Sequence, residues 1–210
     1  MTARAQFWDN LAERYAKQPL PNPEATRRKL AHCKEKLSPD HQLLDVGCGT
    51  GTILLDLAPH VAVAHGIDIS PEMIRIAEEK RVAQGADNAT FHALTLDDPL
   101  PFEDGQFDMV CAYNILHLVE DRQEALRRIY RLLKPGGVFA SSTPCLGGTW
   151  KPYGLMIGVM RLFGKAPEIV KLFRPEECIQ GIRDVGFADV VRLDVGAQAS
   201  TTFVMGHKPA

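Results

Sequence analysis

The sequence predicts an α/β protein built on a mostly parallel sheet, and three observations carry that reading. Between residues 42 and 143, short apolar runs alternate with helical patterns, the signature of stacked strand–helix–strand units. Most of the five runs are dense in apolar residues, as strands covered on both faces should be. The first run opens onto three glycines in alternate positions and then onto a helix.

Taken in chain order, the first forty residues read as two helices ahead of the sheet. One carries Phe7, Trp8, Leu11, Ala12 and Tyr15 at helical spacing, the other lies around 27–37, and a proline-rich joint at 19–23 separates them. Strands are expected over 43–46, 61–67, 90–94, 107–113 and 138–142. After the second strand, Ser70, Pro71 and Glu72 supply a capping hydroxyl, a proline for the first helical position and an acid for the first turn. A helix therefore starts at Ser70. Residues 122–133 place Leu126, Ile129, Tyr130 and Leu133 on one face and stop at Lys134-Pro135-Gly136-Gly137. The stretch 144–173, with Trp150, Met156, Ile157, Met160 and Phe163, is too apolar for an ordinary surface loop and too short to span a membrane, so it covers something. A helix over 175–185 and strands over 187–195 and 201–208 close the chain, the last two near enough for an antiparallel hairpin.

Composition narrows the class. At 210 residues the default is one domain, burying about 70% of its unfolded surface without staples. Apolar residues at 45% and charged residues at 24%, with 17 Gly and 14 Pro, exclude fibrous and disordered classes. A formal charge of −2, with Lys and Arg spread along the chain, argues against a nucleic-acid partner. The N-terminus lacks the apolar core of a signal peptide and no stretch approaches the roughly 18 to 20 apolar residues of a membrane span, so a cytoplasmic protein is expected. Cys33, Cys48, Cys111, Cys145 and Cys178 are scattered, without paired spacing. They read as reduced thiols and suggest neither disulfides nor a metal site, with Cys48 and Cys111 as small buried hydrophobes rather than nucleophiles.

The most informative stretch runs from Leu43-Leu44-Asp45-Val46 into Gly47-Cys48-Gly49-Thr50-Gly51. Glycines there allow backbone dihedrals closed to other residues and let a ligand approach the main chain. The following helix start points free N–H groups at an anionic part of that ligand. Seventeen residues past Gly51, Asp68 ends the second strand and offers a bidentate acceptor suited to a ribose diol. A dinucleotide fingerprint wants a third glycine where Thr52 stands, and no Gly-Lys-Ser/Thr follows the loop as a P-loop requires.

These residues, together with Asp68-Ile69-Ser70-Pro71-Glu72-Met73, Leu100-Pro101-Phe102 before Phe107-Asp108, and Leu132-Leu133-Lys134-Pro135-Gly136-Gly137, resemble four successive motifs of the class I S-adenosylmethionine-dependent methyltransferases. The likeness covers about residues 40–145 and is closest in kind to the small-molecule enzymes of ubiquinone and menaquinone biosynthesis. It implies a Rossmann-like seven-stranded sheet of order 3214576, strand seven antiparallel, with helices on both faces. It divides one domain into an N-terminal helical lid (1–40), a cofactor-binding core (41–145), an apolar substrate-side insert (146–174) and a C-terminal helix and hairpin (175–210). It implies S-adenosyl-L-methionine as cofactor, with Asp45 and the backbone of Gly47, Cys48, Gly49 and Gly51 at the methionine end, Asp68 on the ribose, and Ile69 and Met73 flanking the adenine. Asp45 has a second reading as an acceptor for loop N–H groups, and Asp68 as a turn residue.

The family's acidic contact to the adenine amino group has Thr95 or Leu96 at its place here, with Asp97 displaced, so that contact falls to the Leu96 backbone or to Asp97. At the end of the fourth strand, Cys111-Ala112-Tyr113-Asn114-Ile115-Leu116-His117 occupies the region the family varies with substrate. Tyr113 belongs to the cofactor side, and His117 reads as a general base or as a structural histidine. Tyr15 resembles the tyrosine that closes over the methionine carboxylate in relatives, or simply packs its helix. The Asn/Asp-Pro-Pro-aromatic motif of enzymes that methylate nucleobases is absent, since Ile115 and Leu116 follow Asn114. A Met-rich, aromatic insert after strand five suggests a small lipophilic or amphipathic acceptor, or else a dimer interface, so a monomer or homodimer is expected. A nucleotide-dependent oxidoreductase and a non-catalytic cofactor-binding protein are the rival readings.

Overall fold

The computed structural model describes residues 2–19, 22–147, 152–198 and 200–210. Among these, β1 (Gln42–Val46), β2 (Val63–Ile67), β3 (Ala89–His92), β4 (Phe107–Tyr113), β5 (Leu133–Pro144), β6 (Ala188–Arg192) and β7 (Thr201–His207) form one sheet in the order β3-β2-β1-β4-β5-β7-β6. The first five pair in parallel, while β7 runs antiparallel to both β5 and β6. This is the order and the reversed strand that the motif resemblance implied.

The helices are α1 (Ala3–Lys17), α2 (Pro23–Lys34), α3 (Thr52–Leu57), α4 (Pro71–Gln84), α5 (Arg122–Leu132), α6 (Tyr153–Leu162) and α7 (Pro175–Asp184). Alternation along the buried strands decides which helix each residue meets. Leu43, Met109 and Cys111 pack with Leu30 and Cys33 of α2 and with Leu54 and Leu57 of α3. Leu44, Val46 and Val110 pack on the other face with Leu126 and Ile129 of α5 and with Cys178 and Ile182 of α7. All five cysteines are buried free thiols.

Helix starts follow the capping chemistry in the sequence. The Ser70 hydroxyl accepts the Met73 N–H at 3.1 Å, and the Asp121 carboxylate accepts that of Glu124 at 3.0 Å. The fifth strand departs most from expectation. The helix before it stops at Leu132, as expected, but the strand begins at once at Leu133 and takes in 134–137 rather than starting at 138. Leu133 pairs with Phe107 before the register shifts to Met109 and Val138, and the Gly136 and Gly137 backbone bonds to Lys208. Tertiary pairing partners thus recruit a segment whose local chemistry reads as a turn. β2 starts later than expected because the Val61 N–H closes a turn onto Ala58. β6 is shorter because Asp189, at φ +47°, sits where the register slips between Ala188 and Val191.

The strand order reverses at β1, which lies between β2 and β4. Ligands of open α/β sheets bind outside the carboxyl ends of strands at such a switch point. The glycine loop after β1, Asp68 after β2 and Asn114 after β4 all meet there.

Candidate active site

The loop leaves β1 by a left-handed step at each glycine, with φ +72° at Gly47, +53° at Gly49 and +73° at Gly51. A Cβ at Gly47 would stand 2.9 Å from Ile115 Cγ1, and one at Gly51 would stand 2.7 Å from Phe91 Cζ. Backbone sterics and packing therefore both require glycine at these two positions. Asp68 fixes the loop to the next helix, since its carboxylate accepts the Gly49 N–H at 3.0 Å and the Ser70 N–H at 2.9 Å. Burial raises its pKa, and those two N–H groups offset the rise only in part.

A cavity of about 380 Å³ opens over this junction. That falls within the range of small-molecule sites. Its walls include ten of the sequence-predicted residues: Tyr15, Gly47, Gly49, Asp68, Ile69, Met73, Leu96, Asp97, Tyr113 and His117. Asp45, Cys48 and Gly51 do not reach its surface. Gly51 is turned into the core against Phe91, and burial pushes the Cys48 thiol well above its ordinary value, as for a buried hydrophobe.

Asp45 is 2% exposed, and its Oδ1 is buried with no hydrogen-bond partner among the described residues. Burial, then the nearby Asp68 carboxylate, push its pKa well above the usual carboxylate range. It does not serve the loop N–H groups, which was one of its two expected roles; an amino group arriving at the loop would supply the missing partner. The phenol of Tyr15 is raised by desolvation and by the carboxylates of Asp68 and Asp45, and its Cε1 lies 4.0 Å from the position of a Gly49 Cβ. The ring thus stands over the glycine loop.

Of the two alternatives for an adenine contact, the Leu96 carbonyl is engaged by the Arg128 guanidinium, while the Asp97 side chain is exposed at the cavity wall. Asp98 is tied to the Thr95 N–H at 2.7 Å. The walls are completed by Asn114, Ile115, His117, Leu118 and Val119 from the turn after β4 and by Pro167, Glu168 and Ile169 from the apolar insert. The insert returns to the site through the Lys171 N–H, which donates to the His117 carbonyl at 2.7 Å. Burial lowers the His117 pKa to about 4, and its Nδ1 is buried without a hydrogen-bond partner. Helix α6 contributes no residue to the wall, and Trp150 lies outside the described residues.

Sequence reasoning did not assign Arg4, which lines the cavity with Trp8 and Tyr15. The signal was available, since positions 4, 8 and 15 fall on one face of a helix. Pro167, Glu168 and Ile169 carried no such signal, because a loop's return path has no periodicity. Among the described residues, no group of three His, Cys, Asp or Glu is placed to hold a metal ion.

A family model described as "Methyltransferase domain" matches residues 37–171. The ubiquinone/menaquinone biosynthesis C-methyltransferase of Geotalea daltonii is 35% identical over 124 residues, covering 56% of this chain and 52% of that protein. The sterol 4-C-methyltransferase of Caenorhabditis elegans is 34% identical over 118 residues, covering 55% of this chain and 35% of that protein. The chain thus spans about half or less of the length of these relatives. Among solved structures, the phosphoethanolamine N-methyltransferase 2 of Haemonchus contortus superposes with a TM-score of 0.79 over 100% of this chain and 61% of its own, at 17% identity. That likeness is one of fold.

Proposed function

Because the chain belongs to the methyltransferase-domain family, we propose that it transfers the methyl group of S-adenosyl-L-methionine to a small lipophilic or amphipathic acceptor. One observation carries the reading: a single cavity is lined both by the glycine loop, Asp68, Ile69 and Met73 and by Asn114, His117, Leu118 and Ile169. Donor and acceptor then share one enclosed space, as a direct displacement requires.

When bound, S-adenosylmethionine supplies a methyl group already activated on a sulfonium. The chain's own task is alignment. The Asp68 carboxylate accepts from the ribose hydroxyls, Ile69 and Met73 flank the adenine, and the adenine amino group falls to Asp97 or to the Leu96 backbone, both at the cavity wall. The backbone of Gly47 and Gly49 meets the methionine end, with the Asp45 carboxylate buried behind the loop, and α1 closes over it with Tyr15 as the lid.

His117 is neutral at pH 7 and lines the cavity, where its ring stands beside the space an acceptor's O–H or N–H would occupy. With a pKa near 4 it is a weak base. Taking a proton fully from a phenol of pKa about 10 would cost roughly 8 kcal/mol, so His117 orients the nucleophile and shares its proton only as the new bond forms. The apolar wall of Ile115, Leu118, Val119 and Ile169 supports a lipophilic acceptor, and the similarity to enzymes named for quinone and sterol methylation supports the same chemistry.

Calorimetry with S-adenosylhomocysteine, with NAD as control, tests the cofactor. A methyl-transfer screen over quinols, phenols, sterols and amines tests the acceptor. Tight NAD binding without a response to S-adenosylhomocysteine overturns the reading. Cofactor binding with no turnover of any acceptor class favours a non-catalytic binding protein.

A further inference from the structure

Helix α6 is an apolar helix that the described residues leave mostly uncovered. Among the described residues, seven of the ten exposed large hydrophobic side chains lie between 155 and 172, with Leu155 at 70%, Leu162 at 84% and Phe163 at 71% exposure. The helix leans on the body only through the partly buried Tyr153 and Ile157 and through Gly154, where a Cβ would be 3.6 Å from Leu172 Cδ1. At ten residues it is about 15 Å long, half of what a bilayer core requires. Among the described residues no helix is long and apolar enough to cross a membrane.

Charge indicates what covers this face. From 152 to 174 the basic residues are Arg161, Lys165, Lys171 and Arg174, against the single acid Glu168, in a chain whose formal net charge is −2. Among the described residues none of these four basic side chains has a carboxylate at ion-pair distance, so no acid of the chain neutralises them. Exposed apolar side chains bordered by unpaired cations match a surface with an acyl boundary beneath anionic headgroups. A second copy of this chain would instead bring the same cations together.

We propose that α6 and the turn after it dock on the surface of an anionic bilayer, lying in the headgroup boundary without crossing it. The docked segment is continuous with the cavity wall, since Arg161 Nε donates to the Pro167 carbonyl at 3.0 Å and Pro167, Glu168 and Ile169 line the cavity. Docking therefore faces the acceptor end of the site toward the lipid.

The test uses the full chain and vesicles of phosphatidylglycerol with phosphatidylcholine, against vesicles of phosphatidylcholine alone, read by co-sedimentation. The chain pellets with the anionic vesicles and stays in solution with the neutral ones, and 0.5 M salt weakens the binding. Each cation near an anionic surface contributes about fivefold, so Lys165→Gln with Lys171→Gln lowers the partition coefficient by about 25-fold. Leu162→Asp with Phe163→Asp abolishes pelleting while leaving S-adenosylhomocysteine affinity unchanged, which shows that the variant is folded. The measurement does not depend on methyl transfer, so failure of the catalytic reading leaves it intact. Equal binding to both vesicle types, no binding to either, or a dimer in sedimentation velocity that the Leu162→Asp, Phe163→Asp variant dissociates would overturn the proposal.

Discussion

Asp68 does two jobs with one carboxylate. It holds the Gly49 and Ser70 N–H groups and also faces the cavity. Asp68→Ala is expected to weaken S-adenosylhomocysteine binding about 10- to 150-fold, the cost of losing hydrogen bonds to a charged group. An unchanged dissociation constant in a folded variant would reduce Asp68 to a turn residue. Gly47→Ala combines a left-handed backbone with a contact near 2.9 Å to Ile115. It should lower stability by about 1 to 3 kcal/mol, seen as a fall in Tm of several degrees. His117 makes a prediction in pH. Its folded pKa near 4 lies below the ordinary 6.5, so the unfolded chain takes up its proton first as pH falls. This residue's share of the stability is therefore intact above pH 6.5 and is lost progressively down to about pH 4, amounting to about 3 kcal/mol. His117→Asn should flatten that part of the denaturation profile. A variant whose stability falls as steeply between those pH values as that of the parent would contradict the assignment.

At the scale of elements, α1 is held over the site by few bonds. Asp9 Oδ1 accepts from the Ser70 hydroxyl at 2.5 Å and from the Glu72 N–H at 3.2 Å, and Arg75 of α4 reaches Glu13 at 2.6 Å. Ala12, Met73 and Ile76 form the small apolar contact beneath it. Asp9→Ala removes the shared acceptor, and each lost bond is worth about 1 kcal/mol. Amide exchange across α1 should accelerate about tenfold or more while β1 and β4 keep their protection. Uniform protection in both proteins would mean that α1 is fixed by packing alone and is no lid. The insert is more weakly held still, since none of its α6 residues is buried. Its amides are expected to exchange fastest among the helices of the free protein, a pattern that mass spectrometry of the exchanged chain resolves.

For the whole molecule, ligand at the switch point ties together the ends of β1, β2 and β4 with α1. A ligand that binds only the folded state stabilises it by about 2.7 kcal/mol at one hundred times its dissociation constant. For a chain of 210 residues that corresponds to a rise in Tm of about 5 to 11 °C. S-adenosylhomocysteine should produce this shift and NAD should not. A shift with NAD alone would return the molecule to the oxidoreductase reading.

The sequence by itself determined the framework, because its signals are local. Apolar runs of strand length marked five parallel strands, Ser70-Pro71-Glu72 marked a helix start, and three alternate glycines with Asp68 marked the ligand-binding crevice. Backbone sterics and capping act between near neighbours, so they are written in the order of residues. Tertiary structure decided what depends on partners distant in the chain. It made strand out of 133–137 because Phe107 and Lys208 supply hydrogen bonds there, and it left Asp45 Oδ1 buried without a partner among the described residues, where one of its two readings had it accept from loop N–H groups. It desolvated His117, which lowers the pKa of a residue that the sequence left open as a general base or a structural histidine. It also turned the apolar side chains of α6 outward, although their composition had suggested a roof over the site. Composition shows that such residues must be hidden. Only the packing shows that the described residues leave them exposed.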